Sequence, residues 1–190
     1  MANDTTGFGL ALVQGKEAST HAEITVAYQP ATDTAASFVG DAVKFTGAVN
    51  TQAIHGINAG FASVMTPTAA ADHIDGVVVG FVPKDIMAPT YGVASTDRLL
   101  FVLRAPESET FAIRASGALP ANFVGKDASM TVAAGSQATG LSGYLLNVAT
   151  IAADPALPLH IVGVSKDYDN ENSANAILLV KINPAVPAAA

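Results

Sequence analysis

Short runs of strand-forming residues, separated by turn-forming clusters, dominate this sequence and predict an all-β fold. Apolar side chains that alternate with a period of two lie on one face of a strand. Such alternation occurs at Ile24, Val26 and Tyr28, at Phe111 and Ile113, at Met130 and Val132, and at Leu178, Val180 and Ile182. No window of about ten residues shows a helical period, and Pro67 limits the alanine-rich stretch 65–71 to one short turn. We expect an antiparallel sandwich or small barrel, jelly-roll-like, with extended N- and C-terminal arms.

Three further runs, residues 76–82, 99–103 and 160–164, are almost entirely apolar. Runs of this kind are typical of strands that are covered on both faces. The bulkiest members of the strongest runs should therefore form the core. This predicted core is Phe81, Leu99, Phe101, Phe111, Ile113, Ile161 and Val180.

The domain organisation predicted for residues 1–190 is a single β-rich domain. A soft sub-boundary falls near 69–75, because the strand pattern is weak before it and clear after it. Residues 1–6 are polar and residues 184–190 are broken by proline, so we interpret both as arms that become ordered against neighbours in an assembly. The first residues lack the basic and apolar stretches of a secretory signal.

Composition narrows the classes of partner. Charged residues make up only 13% of the chain, against about 25% in an ordinary soluble domain, and residues 128–153 contain none. Polar residues interrupt that stretch, so no membrane span is expected. A weakly charged surface is easily desolvated against another protein. The net charge of −7, with nine scattered Lys and Arg residues, argues against a nucleic-acid partner, and the absence of cysteine excludes disulfides and thiolate chemistry.

Two glycine motifs resemble catalytic or cofactor signatures and fail on inspection. Gly7 and Gly9 begin a dinucleotide fingerprint, but Leu12 stands where the third glycine is required. The stretch from Gly140 to Tyr144 resembles a nucleophile elbow around Ser142, but Tyr144 replaces the last glycine and nothing helical follows. A β-turn is the favoured interpretation of that stretch.

Acidic and histidine residues offer no convincing metal site. Asp167, Asp169 and Glu171 alternate like the first ligands of a calcium loop, but Asn172 and Leu178 stand where Gly and Glu are required. A solvated acidic loop is favoured, and a looser cation site at 167–171 stays open. The remaining candidates are expected to be packed or surface residues and ion pairs; they are Asp72, His73, Asp75, His21, His55, His160, Arg98 with Asp97, and Arg114 with Glu109. We therefore predict no catalytic residue, no metal site and no cofactor.

A series of segments in fixed order resembles the structural cement, or head decoration, proteins of tailed bacteriophages. The segments are 40–44, 76–81, 91–98, 101–102, 109–113, 139–143, 157–163 and 179–183. The resemblance covers about residues 40–183, and residues 48–75 match poorly. It implies a non-enzymatic β-rich protein made in the bacterial host cytoplasm and carried in many copies on the outer surface of the virion head. There it would bind the major capsid protein and other copies of itself, and stabilise the mature shell.

Three alternatives stay open. A glycan-binding or host-adhesion module of the virion is the strongest, although the absence of Trp and the four Tyr residues weigh against it. A pocket where aromatic and polar side chains converge would favour that module. An enzyme and a shell-forming capsid subunit are weaker, because no catalytic set assembles and the chain is short and poor in helix for a shell.

Overall fold

The computed structural model describes residues 6–13, 23–54, 56–57, 59–66, 72–83, 88–104, 109–166, 170 and 173–184. Within these residues the fold is all-β, as predicted. The strands are β1 (Ala11–Leu12), β2 (Ile24–Gln29), β3 (Ala42–Val49), β4 (Ala62–Met65), β5 (Gly76–Phe81), β6 (Arg98–Arg104), β7 (Phe111–Arg114), β8 (Asp127–Ala128), β9 (Met130–Thr131), β10 (Leu145–Leu146), β11 (Leu159–Val164) and β12 (Ile177–Ile182). One 3₁₀ turn, Val148–Thr150, follows β10.

Five strands close a barrel in the order β2-β4-β3-β5-β6. Strand β2 runs antiparallel to β6 along its whole length and pairs in parallel with β4 at Tyr28 and Ser63. The inside of this narrow barrel is filled by small and branched side chains, with Phe45 and Phe81 packed against them. These interior residues are Ala27, Val43, Val64, Val78, Leu100 and Val102.

The second half of the chain forms an antiparallel sheet in the order β1-β7-β12-β11-β8, with the β9–β10 pair beside it. Side chains on the outer face of the barrel, including Val77 and Leu103, pack with Phe111, Ile161 and Leu178 of this sheet in one continuous core. The barrel and the sheet are therefore joined by shared apolar burial. β4 and β5 both pair with β3, so residues 72–75, the described part of the predicted sub-boundary, precede a strand of the same barrel.

Most of the predicted core is confirmed. Leu99, Phe111, Ile113, Ile161 and Val180 are all fully buried, and Phe81 is partly buried.

The prediction for Phe101 is wrong, because its side chain is 37% exposed. The prediction that the three apolar runs are covered on both faces is wrong for the same reason. Each run has one exposed residue in its middle: Val79, Phe101 and Val162. Neighbours in β6 show why. Leu100 and Val102 fill the barrel and Leu103 meets the sheet, while Phe101 lies on the outer face, opposite Val26 and Gly80, where no other described element covers it completely.

Several predictions concern residues outside the described ranges. Of the arms 1–6 and 184–190, only Thr6 and Pro184 are described, and both are exposed. The stretch 65–71, for which a short turn was possible, is described only at Met65 and Thr66, and the acidic loop 167–171 only at Asn170.

Candidate functional site

Gly7 and Gly9, which began the failed dinucleotide motif, are needed for close backbone packing. Gly9 has a φ of +73°, and a Cβ added there would lie 2.3 Å from the carbonyl oxygen of Gly40. A Cβ at Gly7 would lie 2.6 Å from the carbonyl oxygen of Gly143. The Leu10 N–H donates to Gly40 O at 2.8 Å. The two glycines thus let the first segment pass directly against two loops of the body.

We expect Gly9→Ala to destabilise the protein clearly more than Gly125→Ala. Gly125 has a similar left-handed φ, +77°, but open space around it, so it isolates the backbone cost of about 1–2 kcal/mol. At Gly9 the added methyl group also overlaps backbone atoms, which should cost at least about 1 kcal/mol more. Urea denaturation of the two variants measures this difference. Equal losses would show that the close contact at Gly9 relaxes freely.

Ser142 follows a turn at residues 137–140, rather than lying in a turn as the sequence predicted, and it is buried. It is 1% exposed, its N–H donates to Val39 O, and its Oγ accepts the Tyr144 N–H at 3.1 Å. The turn before it is closed by the Gly140 N–H, which donates to Ser136 O. A serine in this position is unavailable to a substrate, in contrast to the exposed nucleophile of an elbow.

The acidic residues and histidines form pairs. His73 Nε2 lies 2.9 Å from Asp75 Oδ1, while Asp72 turns to Lys44, with 3.0 Å between Oδ2 and Nζ. His160 Nδ1 lies 2.8 Å from Asp127 Oδ1. Within the described ranges, no three His, Asp or Glu residues converge on a point where a metal ion could bind.

Other sequence candidates either lie outside the described residues or have packing roles. His21, His55, Asp167, Asp169 and Glu171 fall in the first group. Arg98 and Arg114 lie over the rings of Phe81 and Phe8, with 5.7 and 5.6 Å from Cζ to the ring centre. Both guanidinium groups also donate to backbone carbonyls.

Asp41 is the most unusual ionisable group among the described residues. It is 1% exposed; Oδ2 accepts the Phe38 N–H at 2.8 Å, and Oδ1 has no hydrogen-bond partner in the described part of the chain. Burial raises the pKa of Asp41 to about 7, the charge of Asp33 acts in the same direction, and the Ser142 hydroxyl and the Phe38 N–H oppose the shift. Burial, with the charges of Asp41 and Asp33, also raises the pKa of Tyr144. Because Asp41 is sealed from solvent, it bears on stability rather than on substrate binding.

A second buried polar cluster lies beside the ends of β2 and β4, and its polar groups find hydrogen-bond partners within the protein. Gln29 Nε2 donates to Asp33 Oδ2 at 3.0 Å, and Gln29 Oε1 accepts the Ser37 hydroxyl at 2.6 Å. The Thr66 N–H also donates to Asp33. Buried polar groups whose partners lie within the protein fix a structure and leave nothing for a ligand.

A polar pocket lies at the edge of the barrel, where the ends of β2 and β3 meet the start of β6. Its volume is about 270 Å³, near the lower limit of small-molecule sites. It is lined by Tyr28, Val49, Asn50, Thr51, Gln52, Ala53, Ile54 and Asp97. A second hollow of about 360 Å³ is lined by 118–123 and 173–174, and none of these described residues is charged.

The polar pocket is held in shape by hydrogen bonds. Asp97 Oδ1 accepts the Tyr28 hydroxyl at 2.7 Å and the Ala31 N–H at 2.8 Å. Burial, together with the carboxylate of Asp97, raises the pKa of Tyr28 to about 12. Asn50 fixes the opposite wall, because its Oδ1 accepts the N–H groups of Gly60 and Phe61 and its Nδ2 donates to Gln52 O.

An apolar strip crosses three strands on the outer face of the barrel, and we define it as Ile24, Val26, Val79 and Phe101. Ile24 is 59% exposed, and Val79 and Phe101 are exposed by more than a third. Val26 lies opposite Phe101, and Phe101 lies opposite Gly80 at the bulge next to Val79. The alternation along β2 places Tyr28 on the same outer face. The polar pocket therefore adjoins one end of the apolar strip.

Neither surface could be recognised in the sequence. Tyr28 and Asp97 are separated by 69 positions, and only the pairing of β2 with β6 brings them together. One residue in the sequence hints that Phe101 is exposed. This residue is Gly80 in β5, because a glycine within a strand often marks a bulge. That signal becomes readable only when the register of β5 against β6 is known.

In the described part of the chain, no helix has the length and apolar character that crossing a bilayer requires. Comparison of the sequence and the structure with protein-family models, with curated proteins and with solved structures finds no match.

Proposed function

We propose that this chain is a capsid decoration protein of a tailed bacteriophage, which binds the outer surface of the major capsid protein lattice and stabilises the mature head. The observation that carries the proposal is the apolar strip on the barrel. The ordered resemblance of residues 40–183 to structural cement proteins supports the identity of the partner. The low fraction of charged residues, 13%, supports the same kind of role.

The apolar strip has the character of a docking surface. Large apolar side chains on adjacent strands mark protein interfaces when they are grouped, whereas single ones are ordinary. Burying a side chain such as Ile24 or Phe101 contributes roughly 1.5–3 kcal/mol when it was fully exposed before, and less here in proportion to its present burial. Exposed Glu23 and Arg104 lie beyond one end of the strip, as in the polar rim of an interface.

Repetition over a closed shell strengthens such a contact. A decoration protein that binds the assembled lattice better than loosened subunits raises the stability of the head by linkage. Modest individual contacts suffice, because neighbouring copies on the lattice hold one another at high effective concentration.

A matched pair of variants tests the proposal. Ile24→Glu places a charge in the apolar strip, and Val124→Glu places one at a residue of similar exposure, 55% against 59%, outside the strip. We expect both variants to melt close to the wild type, and only Ile24→Glu to lose occupancy on purified heads from which the protein has been stripped. Co-sedimentation with the heads measures occupancy. Equal occupancy by the two variants would contradict a role for the strip.

A glycan-binding module of the virion is the second candidate. The polar pocket favours it, because Tyr28, Asp97 and the amide of Gln52 line one cavity, and sugar sites combine aromatic, carboxylate and amide groups. Direct binding of a neutral saccharide to the isolated protein would support this function over decoration.

A further inference from the structure

We propose that the polar pocket receives a basic side chain, an arginine or a lysine, of the capsid surface to which the protein docks. This inference rests on the proposed function and assigns the pocket as the charged anchor beside the apolar strip.

The first argument is the negative charge of the pocket, which favours a cationic partner. Among the described residues that line the pocket, Asp97 is the one with a charged side chain. Its Oδ1 accepts two hydrogen bonds, and since a carboxylate has about four lone-pair sites, acceptor capacity remains. A carboxylate oxygen with free acceptor capacity in a cavity selects a donor with positive charge, since charge-assisted hydrogen bonds are the stronger ones. Phosphate, sulfate and acidic sugars are disfavoured by the same charge.

The second argument is the rigidity of the pocket, whose walls are already ordered for binding. The Tyr28 hydroxyl and the Ala31 N–H hold the carboxylate of Asp97 in one orientation. Three hydrogen bonds of the Asn50 side chain hold the loop that forms the facing wall. A site that is already ordered loses little conformational entropy on binding. This ordering distinguishes Asp97 from an ordinary acidic residue on the surface, whose carboxylate is solvated and free to rotate.

The third argument is the position of the pocket next to the apolar strip. Tyr28, Val26 and Ile24 alternate along the outer face of β2, so a partner lying on the apolar strip also reaches the mouth of the pocket. Arginine in a partly desolvated pocket is a frequent anchor of protein interfaces. A neighbouring Val49, 57% exposed, offers apolar surface to the methylene stem of such a side chain.

The first test uses the isolated protein and N-acetyl-arginine methylamide as the probe. We expect the amide NMR signals of residues 28, 50–54 and 97 to shift in the titration. Binding should be about fivefold or more weaker for the neutral citrulline analogue and for the Asp97→Asn variant. The asparagine side chain in that variant keeps an acceptor for the Tyr28 hydroxyl and the Ala31 N–H while removing the charge.

Asp154→Asn, at an exposed site elsewhere, is the control for this titration and should bind the arginine probe like the wild type. Three results would overturn the inference: absence of shifts at the pocket residues, equal binding of the citrulline analogue, or binding of a neutral saccharide such as maltose in place of arginine.

The second test uses stripped heads and separates this inference from the proposed function. We expect Asp97→Asn to bind the heads about fivefold more weakly than the wild type, with a smaller dependence on salt. If the wild type and Asp97→Asn occupy the heads equally, the decoration function stands and the anchor is wrong. If the wild type does not bind heads at all, the proposed function fails and the anchor to the capsid fails with it, while the arginine titration still reports the chemistry of the pocket.

Discussion

Phe111→Ala is expected to lower the free energy of unfolding by about 3–5 kcal/mol, and Phe101→Ala by only about 1–2 kcal/mol. Phe111 is fully buried between the sheet and the barrel, so its removal leaves a cavity in addition to the lost transfer free energy. Phe101 is 37% exposed on the outer face of the barrel, where water can fill the vacated space. The two variants have the same chemistry and differ only in their surroundings.

Urea denaturation at constant pH gives both losses, provided that the slopes of the transitions stay equal. Losses of similar size would mean that the outer face of β6 is covered, and the apolar strip would then not exist as a free surface. The comparison therefore tests the fold and the basis of the proposed docking surface together.

The second large effect concerns Asp41 and pH. Its pKa is about 7 in the folded protein and near 3.8 when the chain is unfolded. A carboxyl group with a raised folded pKa binds its proton more tightly in the folded state, so its stabilising contribution is complete below about pH 4 and is lost as the pH rises through about 7. Converted to free energy, this contribution is at most about 4 kcal/mol.

Asp41→Asn should remove most of this dependence. An amide keeps an acceptor for the Phe38 N–H and, like the protonated acid, carries no charge. We expect the variant to be more stable than the wild type near pH 8, and to lose that advantage at lower pH, when denaturation curves are measured between about pH 4 and pH 8. Asp154→Asn, at an exposed residue, is the control and should follow the wild type. Parallel pH profiles for Asp41→Asn and the wild type would show that Asp41 stays ionised at little cost.

The fold class could be predicted from the sequence because alternation is a local property. Ile24, Val26 and Tyr28 lie on one face of β2, as their spacing indicates. Strand order is different, because it depends on pairing between distant segments. Nothing near β2 indicates that it pairs with β6 on one side and with β4 on the other, so a barrel and a sandwich could not be distinguished.

Burial was predicted less well than strand position, for a physical reason. An apolar strand is fully covered only if other elements reach both of its faces along its whole length. In β6 the barrel interior covers Leu100 and the sheet covers Leu103, but Phe101 lies between these zones on the outer face. The same non-local dependence hid the pocket, since Asn50 and Asp97 become neighbours only through the closed barrel.

The glycine motifs show the reverse case. Their local spacing suggested nucleotide binding, but the fold requires these glycines for close backbone packing. Gly7 and Gly9 are spaced like the start of a nucleotide fingerprint, yet each is required because a backbone carbonyl lies where its Cβ would be. Without knowledge of which segments cross, a glycine that permits close packing cannot be distinguished from one that admits a phosphate.

A reconstruction of the phage head at side-chain resolution is the decisive measurement for the proposed decoration function. We predict copies of this protein on the outer surface of the shell, with Ile24, Val26, Val79 and Phe101 buried against the major capsid protein or a neighbouring copy at its edge. Absence of the protein from the outer surface would contradict that function, and its presence there with these four side chains facing solvent would contradict docking through the apolar strip.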